Sequence, residues 1–92
     1  MTKEEIEKGL TEAMVLVKGA EVLPLNYKAS LVQGYGFESL DIIDLFFEVQ
    51  RITGIEIDLT EMAVKIGALE GRRFNDLTVE DLLQFLIEKA NV

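Results

Sequence analysis

The stretch from Gly34 to Gly54, GYGFESLDIIDLFFEVQRITG, restricts the fold more than any other part of the chain. Gly34 and Gly36 permit a bend with few steric demands, Glu38-Ser39-Leu40 opens a run of helical period, and Gly54 can close it. A helix over about 39–53 follows, with a serine at its mouth. Leu40, Ile43 and Phe47, together with Leu45, Phe46 and Val49, give it a broad apolar side expected to be buried. Asp41, Asp44 and Glu48 recur at steps of three and four along another side, where they would meet something positively charged.

The remaining segments must supply what that helix packs against. Thr2-Lys3-Glu4-Glu5 reads as a capping box, and Ile6, Leu10, Ala13, Met14 and Val17 recur at helical steps, predicting a first helix over about 3–17 that Gly19 ends. From Lys18 to Tyr35 no period is sustained and Pro24 would break a helix, yet Val22, Leu23, Leu25, Leu31 and Val32 are too apolar for a solvated linker. A long loop laid over the core is the expected solution. Ile55-Glu56-Ile57-Asp58 alternates like a strand but has no partner strand in the sequence, so it is expected as an extended connector inserting Ile55 and Ile57 into the core. Asp58-Leu59-Thr60-Glu61 is a second possible capping box, with Leu59, Met62, Ile66 and Leu69 continuing toward Gly71 as a third helix. Arg72 to Asp76 reads as a polar loop, and Thr78-Val79-Glu80-Asp81 caps a last helix carrying Val79, Leu82, Leu83, Leu86 and Ile87. The fold class expected is all-α, one domain over 1–92 built as a four-helix bundle with a long first connection.

Composition narrows the function. The 92 residues contain no cysteine and no histidine, which removes thiol nucleophiles, imidazole bases and the usual zinc ligands, so neither an enzyme of common type nor a metal site is expected. A formal charge of −8 disfavours nucleic acid and anionic membranes and favours basic protein surfaces. Residues 38–61 hold seven acids against the single base Arg51, so they carry −6 of that charge. The polar, acidic N-terminus is unlike a signal peptide, and the longest charge-free run, Ala29 to Phe37, has nine residues, far short of the roughly 20 of a membrane span. A cytoplasmic protein with no membrane span is the expectation.

Gly36-Phe37-Glu38-Ser39-Leu40, followed by Asp41-x-x-Asp44-Leu45 and closing in Gly54-Ile55-Glu56-Ile57, resembles the acyl carrier protein family, whose motif is usually written Gly-x-Asp-Ser-Leu. The resemblance covers nearly the whole chain and includes a terminal Thr-Val-x-Asp-Leu at Thr78–Leu82. It implies a discrete, specialised carrier, not an enzyme, in which Ser39 receives a 4′-phosphopantetheine arm from a phosphopantetheinyl transferase. Acyl groups would ride on that arm as thioesters, delivered to enzymes of fatty acid, polyketide or lipid biosynthesis. It also implies that Glu38, Leu40, Asp41, Asp44 and Glu48 meet basic docking surfaces on those enzymes, that Ile43, Phe46, Phe47 and Met62 border an acyl cavity, and that the protein is a monomer. A phosphodiester at Ser39 would lie at the positive end of a helix dipole, which stabilises an anion by about 0.3–1 kcal/mol.

Each of these expectations has a plainer alternative. On the plainer reading Ser39 is a helix N-cap and nothing more, in a helical interaction module that never carries an arm. Ile42 weighs against this, standing where a capping box begun at Ser39 wants Glu or Gln. The corresponding alternatives are that the acids are a solvated face, that Phe46 and Phe47 are ordinary core, and that the cargo is aminoacyl or peptidyl instead of acyl. The chain also departs from the family: Glu38 for its Asp, Gly34-Tyr35 for a frequent Asp-Leu, Gln50 and Arg51 where acids are common, Asp58 for a frequent proline, and a longer segment from Ala63 to Leu77 that includes Arg72 and Arg73.

Overall fold

Thr2 and Glu5 close the first turn of the chain reciprocally. Glu5 N donates to Thr2 Oγ1 at 3.2 Å and Thr2 N to Glu5 Oε1 at 2.9 Å, so helix α1 runs Lys3–Lys18 from a satisfied end. The computed structural model describes residues 1–65 and 76–91 of the chain. Ile6, Leu10, Ala13 and Met14 turn inward as the helical spacing predicts, Val17 is half-buried, and Gly19 N closes the helix on Val15 O at 2.7 Å.

Helix α2 runs Ser39–Thr53 and ends at Gly54, whose N–H donates to Gln50 O at 2.8 Å. It meets α1 at Gly9: a Cβ there would stand 2.7 Å from Thr53 Cγ2 and 3.3 Å from Ile52 Cγ2, so only the missing side chain lets the two helices approach this closely. Ile42, Leu45, Phe46 and Val49 form the buried side of α2. Leu40, Ile43 and Phe47 do not join them, and the expected single apolar side is split. At 100° per residue the apolar arc of α2 is wider than its neighbours can cover, and its outer edge is left in solvent.

The long connection is a strap over the core. A 3₁₀ turn spans Ala20–Val22, and Val22, Leu31 and Phe37 are buried, whereas Leu23 points out at 47% exposure. Leu31 N donates to Leu77 O at 2.9 Å, Val79 N to Ala29 O at 3.1 Å and Glu80 N to Tyr27 O at 2.8 Å, sewing the strap to the start of the last helix. Ser30 and Thr78 face each other there as one isolated antiparallel bridge.

Ile55 and Ile57 are half-buried against the core in an extended connector, as the sequence suggests, and form no strand. Helix α3 is described over Leu59–Lys65, with Asp58 Oδ1 accepting from Thr60 N at 2.7 Å and Glu61 N at 3.2 Å and Met62 fully buried. The expected continuation through Ile66 and Leu69 to Gly71, and Arg72 and Arg73, lie outside the described residues. Helix α4 runs Val79–Lys89 behind a capping box of Thr78 and Asp81, burying Val79, Leu82, Leu83, Phe85 and Leu86. Phe85 belongs to this face although the spacing argument omitted it; it lies one helical turn from Leu82 and Leu86 is its neighbour. The described residues thus form an all-α protein of four helices, with a radius of gyration of 12.1 Å against about 12 Å expected for this length.

Candidate functional site

The turn that delivers Ser39 is built by the strap. Gly34 N and Tyr35 N both donate to Ser30 O at 2.8 and 3.1 Å, and Phe37 N reaches back to Leu31 O at 2.9 Å. A Cβ on Gly34 would stand 2.6 Å from Ser30 O, and Gly36 adopts φ +71°, so both glycines are required by geometry. Tyr35 Oη accepts Asn26 N at 2.7 Å, while the Phe37 ring is buried edge-on to Tyr35 with centroids 6.5 Å apart. Phe37 thereby anchors the chain two residues before the serine.

Ser39 is exposed on the first turn of α2, and its hydroxyl makes no hydrogen bond among the described residues. It is not the cap. Glu38 holds the N-cap position with extended backbone (φ −92°, ψ 172°), and Asp41 Oδ2 accepts Glu38 N at 2.9 Å. The capping partnership is therefore one residue earlier than a box begun at Ser39, with Asp41 in the place where Ile42 was weighed. An acid at that position can fold back to the cap N–H, and so the serine hydroxyl is left to solvent.

Asp41 is further held from α1. Lys18, the last residue of that helix, places Nζ 3.3 Å from Asp41 Oδ2 and 5.6 Å from the centroid of the Phe37 ring. The Glu38 N–H first, and the Lys18 ammonium beside it, hold the Asp41 carboxyl below the usual aspartate range. Sequence inspection did not select Lys18, since nothing in its local pattern points to a residue 23 positions on; only the packing of α1 on α2 does.

The other acids divide. Glu48 is half-buried and paired with Arg51 at 2.6 Å, and Glu61 is paired with Lys89 at 2.9 Å. Asp44 is exposed and makes no ion pair among the described residues, and Glu38 and Leu40 are exposed, Leu40 at 73%. Of the helix acids expected to meet partners, Asp41 and Glu48 thus already have cations of their own. Ile43, Phe46 and Phe47 do come together, with Gln50 and Ile57, around a depression of about 160 Å³. This is below the roughly 300–1,000 Å³ of ordinary small-molecule pockets. Met62 is not among its lining residues but in the core. A larger hollow of about 410 Å³ lies between α3 and α4, lined by Thr60, Glu61, Val64, Phe85, Glu88 and Lys89, none of them in the serine motif.

Among the described residues no helix is long and apolar enough to cross a membrane. Compared with protein-family models, with curated proteins and with solved structures, the chain matches none.

Proposed function

We propose that this chain is a discrete carrier protein of the acyl carrier kind, with the four-helix arrangement of that family, and that Ser39 is the attachment point of a 4′-phosphopantetheine arm. The observation that carries the reading is the exposed Ser39 hydroxyl, which makes no hydrogen bond among the described residues because Glu38 and Asp41 do the capping. A serine present only to start a helix would be spending its oxygen on the backbone.

The surroundings fit such a group. Attachment would form a bond from Ser39 Oγ to the phosphorus of the pantetheine side, break the pyrophosphate of coenzyme A, and release adenosine 3′,5′-bisphosphate and the hydroxyl proton. The resulting phosphodiester would stand at the positive end of α2, and Lys18 offsets the charge of the neighbouring Asp41. When bound, the arm supplies the thiol that a cysteine-free chain lacks and holds acyl groups as thioesters. The reading is supported by the chain's own residues around Ser39: Phe37 is buried two residues before it, Asp41 closes the turn, and Glu38, Leu40 and Asp44 are exposed where partner enzymes, on this reading cytoplasmic ones, would meet them.

Incubation with coenzyme A and a broad phosphopantetheinyl transferase, followed by intact mass, tests this. The expected product carries one arm, and Ser39→Ala carries none. A chain left unmodified by an enzyme that modifies a control carrier would overturn the proposal in favour of an unmodified interaction module.

A further inference from the structure

The cation that ends α1 stands at the start of α2. Lys18 Nζ lies 3.3 Å from Asp41 Oδ2, the same oxygen that accepts Glu38 N at 2.9 Å. One carboxylate oxygen thus joins the last residue of the first helix to the cap of the second. The ammonium is also 5.6 Å from the centroid of the buried Phe37 ring, close enough for the ring face to attract it. Both side chains of the pair are 27% exposed, whereas Lys28, paired with Glu80, is 86% exposed, so solvent and salt weaken the Lys18 pair less. Its importance comes from its place. Glu38 and Asp41 flank Ser39 on the entry to α2, and Lys18 cancels the charge of one of these two carboxylates. Without it, an anion on Ser39 would face both acids with only the helix dipole in its favour, equivalent to roughly half a positive charge.

We propose that Lys18 is a positioning residue for anion attachment at Ser39: seated on Phe37 and acting through Asp41, it holds the first turn of α2 and removes one of the two negative charges beside the serine. The inference rests on the carrier reading for the identity of the anion, a phosphodiester, and goes beyond it by assigning a role to a residue 21 positions away on another helix. In attachment, Ser39 Oγ would bond to the phosphorus on the pantetheine side of coenzyme A and the bridging phosphorus–oxygen bond would break. Adenosine 3′,5′-bisphosphate and the hydroxyl proton would leave. Lys18 acts on none of these atoms directly; it lowers the repulsion that the incoming pyrophosphate meets and that the product diester keeps.

Two readouts test this, and the first needs no arm. Ser39→Asp fixes an anion at the site, and urea unfolding of the parent, Lys18→Met, Ser39→Asp and the double variant measures the coupling between the two positions. At about 0.1 M salt, Ser39→Asp should lower the folded-to-unfolded ratio roughly threefold more in the Lys18→Met background than in the parent. The difference should shrink toward none at about 1 M salt, where the Debye length is about 3 Å. Lys18→Arg should behave as the parent. Lys3→Met removes the same charge from the other end of α1, about 22 Å along the helix, and should show no coupling. The second readout is arm attachment by a phosphopantetheinyl transferase: Lys18→Met should lower kcat roughly threefold without raising KM for the carrier, and Lys18→Arg should restore it. Additive variants, a coupling that salt leaves unchanged, or a kcat for Lys18→Met equal to the parent's would overturn the proposal. A parent that takes no arm while the unfolding cycle is coupled refutes the carrier reading alone and leaves Lys18 its role toward an anion. A parent that takes the arm while the cycle is additive refutes the role of Lys18 alone.

Discussion

Ser39 and Glu38 exchange the roles that their residue types suggest. Serine is a favoured N-cap and glutamate is not, yet the backbone enters α2 at Glu38 and the acid at position 41 closes the turn. Removing the Ser39 hydroxyl should therefore leave stability within about 0.5 kcal/mol of the parent, where loss of a capping serine would cost about 1 kcal/mol. Urea unfolding of Ser39→Ala measures the difference, and a loss near the larger figure would return Ser39 to a capping role. Asp41 carries the opposite expectation. Its carboxyl is held below the usual range by the Glu38 N–H and then by Lys18, so its folded-state pKa lies beneath its unfolded one. Its stabilising contribution is then fully present above the unfolded value and is lost as pH falls through the folded value. Thermal unfolding should show Asp41→Asn melting below the parent at neutral pH, with the gap closing in the acid range below about pH 4. A gap that is constant with pH would mean that the ionised form is not what matters.

At the scale of elements, α2 separates two phenylalanines that the sequence places side by side. Phe46 is 6% exposed and packs into the core, while Phe47 is 68% exposed. Phe46→Ala should lower stability by about 3–5 kcal/mol, and Phe47→Ala by no more than about 0.5 kcal/mol. Chemical denaturation of the two variants decides it, and similar losses in both would contradict the split face. Both ends of α1 and α2 and the start of α4 were legible within a residue because each is written locally: Thr2 with Glu5 and Gly19, Gly54, and Thr78 with Asp81. Which edge of the apolar arc of α2 stays dry was not legible, because periodicity fixes the angle between residues and not where the neighbouring helices stand. The strap was half legible: its apolar residues announced burial, but its stitching to Leu77, Val79 and Glu80 joins positions some 50 residues apart and has no local signature.

For the molecule as a whole, a net charge of −8 opposes association of chains that expose Leu16, Leu40 and Phe47. As pH falls toward the isoelectric point of about 4.4 that repulsion vanishes, and light scattering should rise steeply there. Phe47→Ser should blunt the rise, and an identical profile would show that another surface is responsible. The sequence by itself determined that the chain is helical, where three of its helices begin, that its middle is acidic and that a serine stands at a helix mouth, because periodicity, capping and charge are properties of neighbouring residues. Tertiary structure alone decided that Lys18 reaches Asp41 and that one flank of α2 remains uncovered, whereas the pairing of Glu48 with Arg51 is a contact one turn apart within α2. Those outcomes depend on how far helices lie from one another, a quantity set by packing at places such as Gly9 and not by any local pattern.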